Sequence, residues 1–160
     1  MENTPLLLGD IVFNAKPDAV PFNCRVSYKV TQLCLTLRLC GRADTCSLIK
    51  LQMLAHSLMS TEYMDNLIDF TEGRCPMPIV RFDPVVNKAL MLSIGYGFVT
   101  QLKSGSYKLT ANGHSFAERV LLAGDLMTFE ISEMKRIGKK LTENHIQEIV
   151  DMWRMDNVKD

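Results

Sequence analysis

Three of the five cysteines and one histidine have types and spacing that come nearest to a metal site. Cys34, Cys40 and Cys46 recur every six residues, and His56 follows ten residues later. Zinc prefers thiolate and imidazole ligands, but its structural ligands usually arrive as close pairs on a turn, and the chain has no CxxC pair. Cys34 also falls within an apolar helical pattern, where cysteine packs as a small hydrophobic residue. The sequence therefore favours core packing over zinc, and it predicts no metal and no cofactor.

The three histidines do not predict catalysis. Neither His56, His114 nor His145 has a neighbouring carboxylate or cysteine in a pattern that would activate a nucleophile. His114 falls in the first turn of a predicted helix, where the positive end of the helix dipole disfavours the imidazolium form. The Gly-Tyr-Gly run at 95–97 is not a phosphate loop, which needs Gly-Lys-Ser/Thr before a helix. The sequence predicts a protein with no catalytic residues that is not an enzyme.

A second set of polar side chains suits contact with a DNA backbone or a docking partner. The set consists of Arg81, Asn87, Lys88, Lys103 and Lys108. A helix that reads bases presents Arg, Lys, Asn or Gln to their edges, and the helix predicted after Asp83 offers only Asn87 and Lys88. Solvated surface charge is the simplest interpretation of the set, and non-specific phosphate contact is the next. Recognition of a particular DNA site is disfavoured.

Composition and charge place the chain among globular proteins. Of the 160 residues 47% are hydrophobic, and 18 basic side chains balance 18 acidic ones, so no net field attracts nucleic acid or anionic lipid. The middle segment, 74–108, nevertheless carries five basic side chains and one acidic one. The first residues lack a basic leader, and no apolar run approaches the roughly 20 residues of a membrane span. Unpaired cysteines are typical of a reduced compartment, so the sequence predicts a cytoplasmic protein with no membrane partner.

The chain divides into four segments that we expect to form one compact domain. They are an N-terminal arm over 1–25, a helical part over 26–73, a core with a hairpin over 74–124 and C-terminal helices over 125–160. Apolar periodicity predicts a first helix that is stopped by Gly41, with inner residues Val30, Leu33, Cys34 and Leu37. The second helix, about Thr45 to Met59, has so few polar residues that it should lie at the centre of the core.

The later helices carry recognisable start signals. Ser60 or Thr61 can cap the third helix. A further helix follows Asp125, with inner residues Leu126, Phe129, Met134 and Ile137. The last follows Thr142, where Leu141 and Ile146 form a hydrophobic staple.

The middle segment has the clearest local signals. Asp83 is a helix N-cap and Pro84 takes the first helical position, because its missing N–H would go unused there. Inner residues of this helix are Val85, Val86, Ala89, Leu90 and Ser93 or Ile94. A strand, FVTQL, a tight turn, KSGS, and a returning strand, YKLT, predict a β-hairpin. Thr110 then caps the next helix directly, and Gly113 allows it to pack closely on the hairpin.

This order of elements is typical of a winged helix. The predicted fold is mainly α with a small antiparallel β-hairpin, in which the short helix opened by Asp83 holds the recognition position and the hairpin is the wing. A winged helix that does not read DNA is usually an adaptor. The ten methionines suit an adaptable interface, although most are expected to fill the core.

Two stretches, FDPVVNKAL and GFVTQLKSGSYKLTANGHSFAERV, give the chain a resemblance to a known family. They resemble the small middle components of bacterial three-gene systems built around an SMC- or Rad50-like ATPase, including Lamassu-type defence systems. The family pattern is a helix opened by Asp-Pro, a glycine-ended strand and a wing that closes on Leu-Thr-x-x-Gly, here Leu109, Thr110 and Gly113. The resemblance covers the central third of the chain.

The resemblance implies a non-enzymatic accessory subunit in defence against phage or plasmids. Such a subunit would link the ATPase to an effector, often a nuclease. Non-specific contact between the basic middle segment and the DNA backbone is compatible with this role. The alternative is a winged-helix transcriptional regulator that binds DNA as a dimer. The terminal helices of the two chains would pair to form that dimer.

Overall fold

The computed structural model describes residues 25–78 and 80–158, and the predicted N-terminal arm lies outside this part except for Arg25. The described residues form seven helices and three short strands. The helices are α1 (Val26–Cys40), α2 (Leu48–Ser57), α3 (Thr61–Thr71), α4 (Pro84–Gly95), α5 (Ala111–Ala123), α6 (Thr128–Ile137) and α7 (Glu143–Asp156). The strands are β1 (Thr45–Cys46), β2 (Val99–Gln101) and β3 (Tyr107–Leu109). No helix in the described part is long and apolar enough to cross a membrane.

The core is built around α1 and α2, as their apolar patterns predict. The four inner residues predicted for α1 are all buried, and α2 is buried along nearly its whole length. α1 packs against α4 and α5 on the hairpin side and against α6 on the C-terminal side. Ser60 caps α3, in agreement with the sequence, by accepting a hydrogen bond from the N–H of Tyr63.

The evenly spaced cysteines are core residues. Cys34, Cys40 and Cys46 are at most 1% exposed. Burial raises the pKa of each thiol to about 12, so all three are protonated at neutral pH. The Cys40 thiol donates a hydrogen bond to the carbonyl oxygen of Met134, 3.6 Å away. The predicted packing role is confirmed.

The predicted start of the second helix at Thr45 is wrong. Thr45 and Cys46 form β1, and α2 begins at Leu48 because Ser47 caps it with its hydroxyl oxygen on the N–H of Lys50. The preceding turn has positive φ at Ala43 and Asp44, which no helix can accommodate. The turn is fixed because β1 pairs with residues more than sixty positions away. The helical pattern of the sequence does not indicate this pairing.

The predicted hairpin is present, and it belongs to a three-stranded antiparallel sheet with the order β1-β3-β2. Val99 pairs with Leu109 in the hairpin, and Cys46 pairs with Tyr107 across the added edge. The hairpin turn is closed by a hydrogen bond from the N–H of Gly105 to the carbonyl oxygen of Leu102, and Gly105 has φ of +87°. Such a φ favours glycine, as the turn pattern predicts.

The junction between β3 and α5 is as tight as the sequence predicts. The N–H of Gly113 donates to Thr110 Oγ1 at 3.1 Å, and the Thr110 hydroxyl donates to the carbonyl oxygen of Gly97. The N–H of Thr110 donates to the carbonyl oxygen of Phe98 at 3.0 Å. A Cβ atom placed on Gly113 would lie 2.0 Å from that same oxygen. Helix and hairpin are therefore in backbone contact.

Two predicted inner residues of α6 are not buried. Leu126 is 50% exposed and Phe129 is 41% exposed, whereas Met134 and Ile137 are buried as predicted. The reason is that α6 begins at Thr128, so Leu126 precedes the helix, and the buried stripe includes Glu130 and Glu133 instead. These carboxylates are buried with partners, the hydroxyl of Tyr28 and the guanidinium of Arg136.

The start of α7 agrees with the sequence and adds one contact to it. The predicted staple residues Leu141 and Ile146 are both buried. Thr142 caps the helix, and His145 completes a reciprocal capping box by accepting the N–H of Thr142 on its ring Nδ1.

Candidate interaction surface

The first turn of α4 is fixed by its cap and by one buried glutamine. The N–H of Val85 donates to Asp83 Oδ1 at 2.9 Å, and Pro84 occupies the first turn, as predicted. Gln52, which is fully buried in α2, accepts the N–H of Asp83 on Oε1 at 2.9 Å and donates from Nε2 to the carbonyl oxygen of Asp83 at 3.2 Å. The direction of α4 is therefore tied to the centre of the core.

The inner side of α4 packs on α1 through residues at helical spacing, and the outer side is unusually apolar. Val86, Ala89, Leu90 and Ser93 are buried. Outside, Met91 is 71% exposed, Tyr96 is 64% exposed and Leu92 is 44% exposed. Together with Asn87 and Lys88 these three define the α4 surface. Exposed apolar side chains grouped on one face are typical of a protein–protein contact.

Aromatic contacts extend the α4 surface towards α5. The rings of Tyr96 and Phe98 lie 5.9 Å apart, and Phe98 stacks on Phe116 with centroids separated by 4.7 Å. Gly97, with φ of +74°, ends the helix and turns the chain between the two aromatic residues. The exposed tyrosine is thereby held on a rigid support.

The five predicted contact residues are all on or near α4 and the hairpin. Arg81 lies just before α4, Asn87 and Lys88 lie on it, Lys103 lies in the hairpin turn and Lys108 lies on β3. All five are exposed. Asn87 and Lys88 are neighbours on α4, whereas Lys103 and Lys108 lie on the hairpin.

Two of the five are less available for DNA than the sequence suggests. The side-chain oxygen of Asn87 accepts a hydrogen bond from Gln52 Nε2 at 3.1 Å, so this amide is already engaged within the protein. Arg81 instead lines a cavity of about 270 Å³ that it shares with Lys29, His56 and Phe82. Lys88, Lys103 and Lys108 have no ion-pair partner in the described part of the chain.

The fold brings two carboxylates close to His114. Its Nδ1 lies 3.0 Å from Asp44 Oδ2, and its Nε2 lies 3.8 Å from Glu118 Oε1. Arg38 balances both carboxylates, with Nε 2.6 Å from Glu118 and Nη1 3.7 Å from Asp44. Asp44 is seventy residues from His114, so only the fold reveals the contact. These four charged and polar side chains link α1, the turn before β1 and α5. No described hydroxyl or thiol lies within hydrogen-bond distance of the His114 imidazole.

The other two histidines have structural surroundings. His56 is buried and stacks on Tyr63 with ring centroids 4.6 Å apart, and its Nε2 has no hydrogen-bond partner. Burial and the nearby charges of Arg81 and Lys29 lower the pKa of His56, so it is neutral at physiological pH. His145 serves the capping box of α7.

The sequence contains a signal for the apolar α4 surface. Once Val86, Ala89 and Leu90 are assigned to the inside, helical geometry places Met91 and Leu92 on the opposite side.

Comparison with protein-family models, with curated proteins and with solved structures finds no match to this chain.

Proposed function

We propose that this protein is a non-enzymatic adaptor that docks other polypeptides through the α4 surface. The observation that carries the proposal is the exposure of Met91, Leu92 and Tyr96 on a helix whose inner side is fully packed. Exposing three large apolar side chains together is unfavourable in water, and a partner that covers them recovers about 25 cal/mol per Å² of apolar area. Methionine and tyrosine also suit contacts that must adapt to a partner.

The partner in this proposal is an SMC- or Rad50-like ATPase in a bacterial defence system against phage or plasmids. It rests on the resemblance of the Asp83–Pro84 helix start and the Leu109, Thr110 and Gly113 wing closure to the middle components of such systems. The adaptor would join the ATPase to an effector subunit of the nuclease type, in the cytoplasm.

A winged-helix arrangement is part of the same proposal. Four helices, α1 to α4, precede the hairpin, and a short strand, β1, after the first helix pairs with β3 to give the order β1-β3-β2. That order supports a winged helix with α4 in the recognition position and the β2–β3 hairpin as its wing. An apolar recognition helix in such a module suits protein docking better than base reading.

Introducing negative charges on the α4 surface should abolish assembly. We expect the tagged Met91→Glu/Tyr96→Glu chain, expressed in its native host, to lose the co-purifying ATPase and effector chains, because two charges would enter an apolar contact. Identification of the co-purified chains by mass spectrometry is the measurement. Leu122→Glu, on an 83%-exposed leucine of α5, is the matched control and should retain both partners. Recovery of no long coiled-coil ATPase with the wild type, or unchanged recovery with the double variant, contradicts the proposal.

A DNA-binding transcriptional regulator is the second candidate, and the unpaired exposed lysines on α4 and the hairpin favour it. Replacement of Lys88, Lys103 and Lys108 by Glu should leave the fold intact, since all three are exposed and have no partner to lose. For an adaptor, we expect the wild-type chain to bind random DNA weakly, with a salt slope of roughly −0.9 per phosphate contact that is smaller in the triple variant. Fluorescence anisotropy at two salt concentrations measures this. Tight, site-selective binding by the isolated chain would favour the regulator instead.

A further inference from the structure

A cavity of about 480 Å³ lies where the loop after α1, the first turn of α2 and the N-terminus of α7 meet. Its volume falls within the range of roughly 300–1,000 Å³ that small-molecule sites occupy. None of its lining residues belongs to α4 or to the β2–β3 hairpin. Whatever it binds is therefore independent of the docking surface proposed above.

A buried lysine lines the cavity without a carboxylate partner. Lys50 is 3% exposed, and its Nζ donates to the carbonyl oxygen of Cys40 at 3.0 Å. No carboxylate oxygen of the described residues lies within ion-pair distance of it. An ammonium group has three donors, and one carbonyl accepts only one of them here. A buried cation that lacks an anion is costly, so an absent anionic partner is the natural explanation.

The position of Lys50 in its helix adds to the cost of its unpaired positive charge. Ser47 caps α2, so Lys50 is the third residue of the helix, in the turn where the dipole is positive. Cations are disfavoured in this turn, and anions are favoured there. Both the burial and the helix dipole therefore call for negative charge beside Lys50.

Two more unpaired cations line the same cavity. Arg42 and Lys139 are exposed, and neither has an ion pair within the described residues. Basic side chains elsewhere either form ion pairs, as Arg136 does with Asp65, or are unpaired and exposed, as Lys88 is. This cavity has three unpaired cations on its wall, and one of them, Lys50, is buried.

The N-terminus of α7 adds hydrogen-bond donors to the wall. Glu143 and Asn144 line the cavity, and first-turn N–H groups have no intrahelical acceptor. The cavity has one carboxylate among its described lining residues, that of Glu143, and its Oε1 accepts the N–H of Ser47 at 3.0 Å. With three basic side chains against one carboxylate, the wall carries a formal net charge of about +2.

We propose that this cavity binds a small molecule that carries a phosphate group. Lys50, Arg42 and Lys139 contact the phosphate oxygens, and the first turn of α7 contributes N–H donors, as helix N-termini do for phosphates. Leu141 and Cys40 give the cavity an apolar wall for the body of the ligand. A compact ligand suits the site better than a nucleic-acid strand, because Lys50 is almost fully buried and a strand presents its phosphates along an open groove.

Isothermal titration calorimetry on the full chain tests the site, with inorganic phosphate, pyrophosphate and adenosine triphosphate as probes at constant ionic strength. We expect saturable binding of at least one probe. Lys50→Met should weaken it at least tenfold, because a charge-assisted contact is lost, while the chain remains at least as stable as the wild type without ligand. Arg42→Gln and Lys139→Gln should each weaken it roughly threefold or more, since they remove partly solvated contacts.

The controls decide between this site and general attraction to charge. Lys135→Gln removes an exposed, unpaired lysine that lies four residues before Lys139 and does not line the cavity, and this variant should bind the probe as the wild type does. No saturable binding of any probe, or an affinity equal to that of the wild type in both Lys50→Met and the Arg42→Gln/Lys139→Gln variant, overturns the proposal. Tighter binding of a single-stranded DNA oligonucleotide that the same variants weaken would assign the site to nucleic acid and also overturn it.

Discussion

Replacing Gly113 with alanine should destabilise the protein by at least about 3 kcal/mol, which is the upper part of the range for overpacking. The added Cβ would lie 2.0 Å from the carbonyl oxygen of Phe98 and 2.9 Å from Leu109 Cδ2. The carbonyl cannot simply turn away, because it accepts the N–H of Thr110, whose hydroxyl in turn holds the carbonyl of Gly97. Relief therefore requires that α5 separate from the hairpin.

Thermal unfolding followed by circular dichroism measures the effect of Gly113→Ala. For a chain of this size the loss corresponds to a decrease in melting temperature of about 6–12 °C. Gly95→Ala is the matched control, because a Cβ on this last residue of α4 meets no atom within 4 Å and its φ is not positive. The control should be neutral or more stable by about 0.5 kcal/mol, since alanine favours helix. Equal melting temperatures for the two variants would show that helix and hairpin are not in backbone contact.

Leu90→Asp should prevent folding under native conditions. Leu90 is 3% exposed on the inner side of α4, which packs on α1. An unpaired buried charge costs about 3–5 kcal/mol, and removal of a buried leucine side chain costs about 2–5 kcal/mol more. Together these losses are comparable with the roughly 5–15 kcal/mol that stabilise a typical domain.

Urea denaturation measures the consequence of Leu90→Asp, which should give no cooperative transition. Met91→Asp supplies the control one position further along the same helix, where the side chain is 71% exposed. It introduces the same residue with the same helix propensity, so its unfolding midpoint should remain close to that of the wild type. A stable, cooperatively folding Leu90→Asp chain would mean that the inner side of α4 is assigned to the wrong residues.

Local signals were sufficient for the starts of α3, α4, α5 and α7 and for the hairpin. Asp83 with Pro84, Thr110 and Thr142 each cap the helix that follows them, as predicted, because an N-cap satisfies donors only two or three residues away. The tight packing at Gly113 was predicted for a similar reason, since the strand, the cap and the glycine are separated by only a few residues. The buried positions of α1 and, apart from Val85, which is only partly buried, those of α4 followed from helical periodicity.

Contacts between distant residues could not be predicted in this way. The pairing of β1 with β3 converts the predicted start of a helix into a strand, although Thr45 and Cys46 carry no alternating pattern of their own. The approach of Asp44 to His114 depends on that strand, because the turn before β1 brings the carboxylate to the first turn of α5. Both depend on chain segments that are more than sixty residues apart.

The sequence by itself determined where α3, α4, α5, α7 and the hairpin begin, which residues of α1 and most of those of α4 face inward, and that Cys34, Cys40 and Cys46 pack in the core. Tertiary structure alone decided that Lys50 is buried without an anion and that it shares a cavity with Arg42 and Lys139. It also decided that Gln52 ties the first turn of α4 to α2. Capping and periodicity act within one or two helical turns, whereas burial and charge pairing depend on which segments the fold brings together.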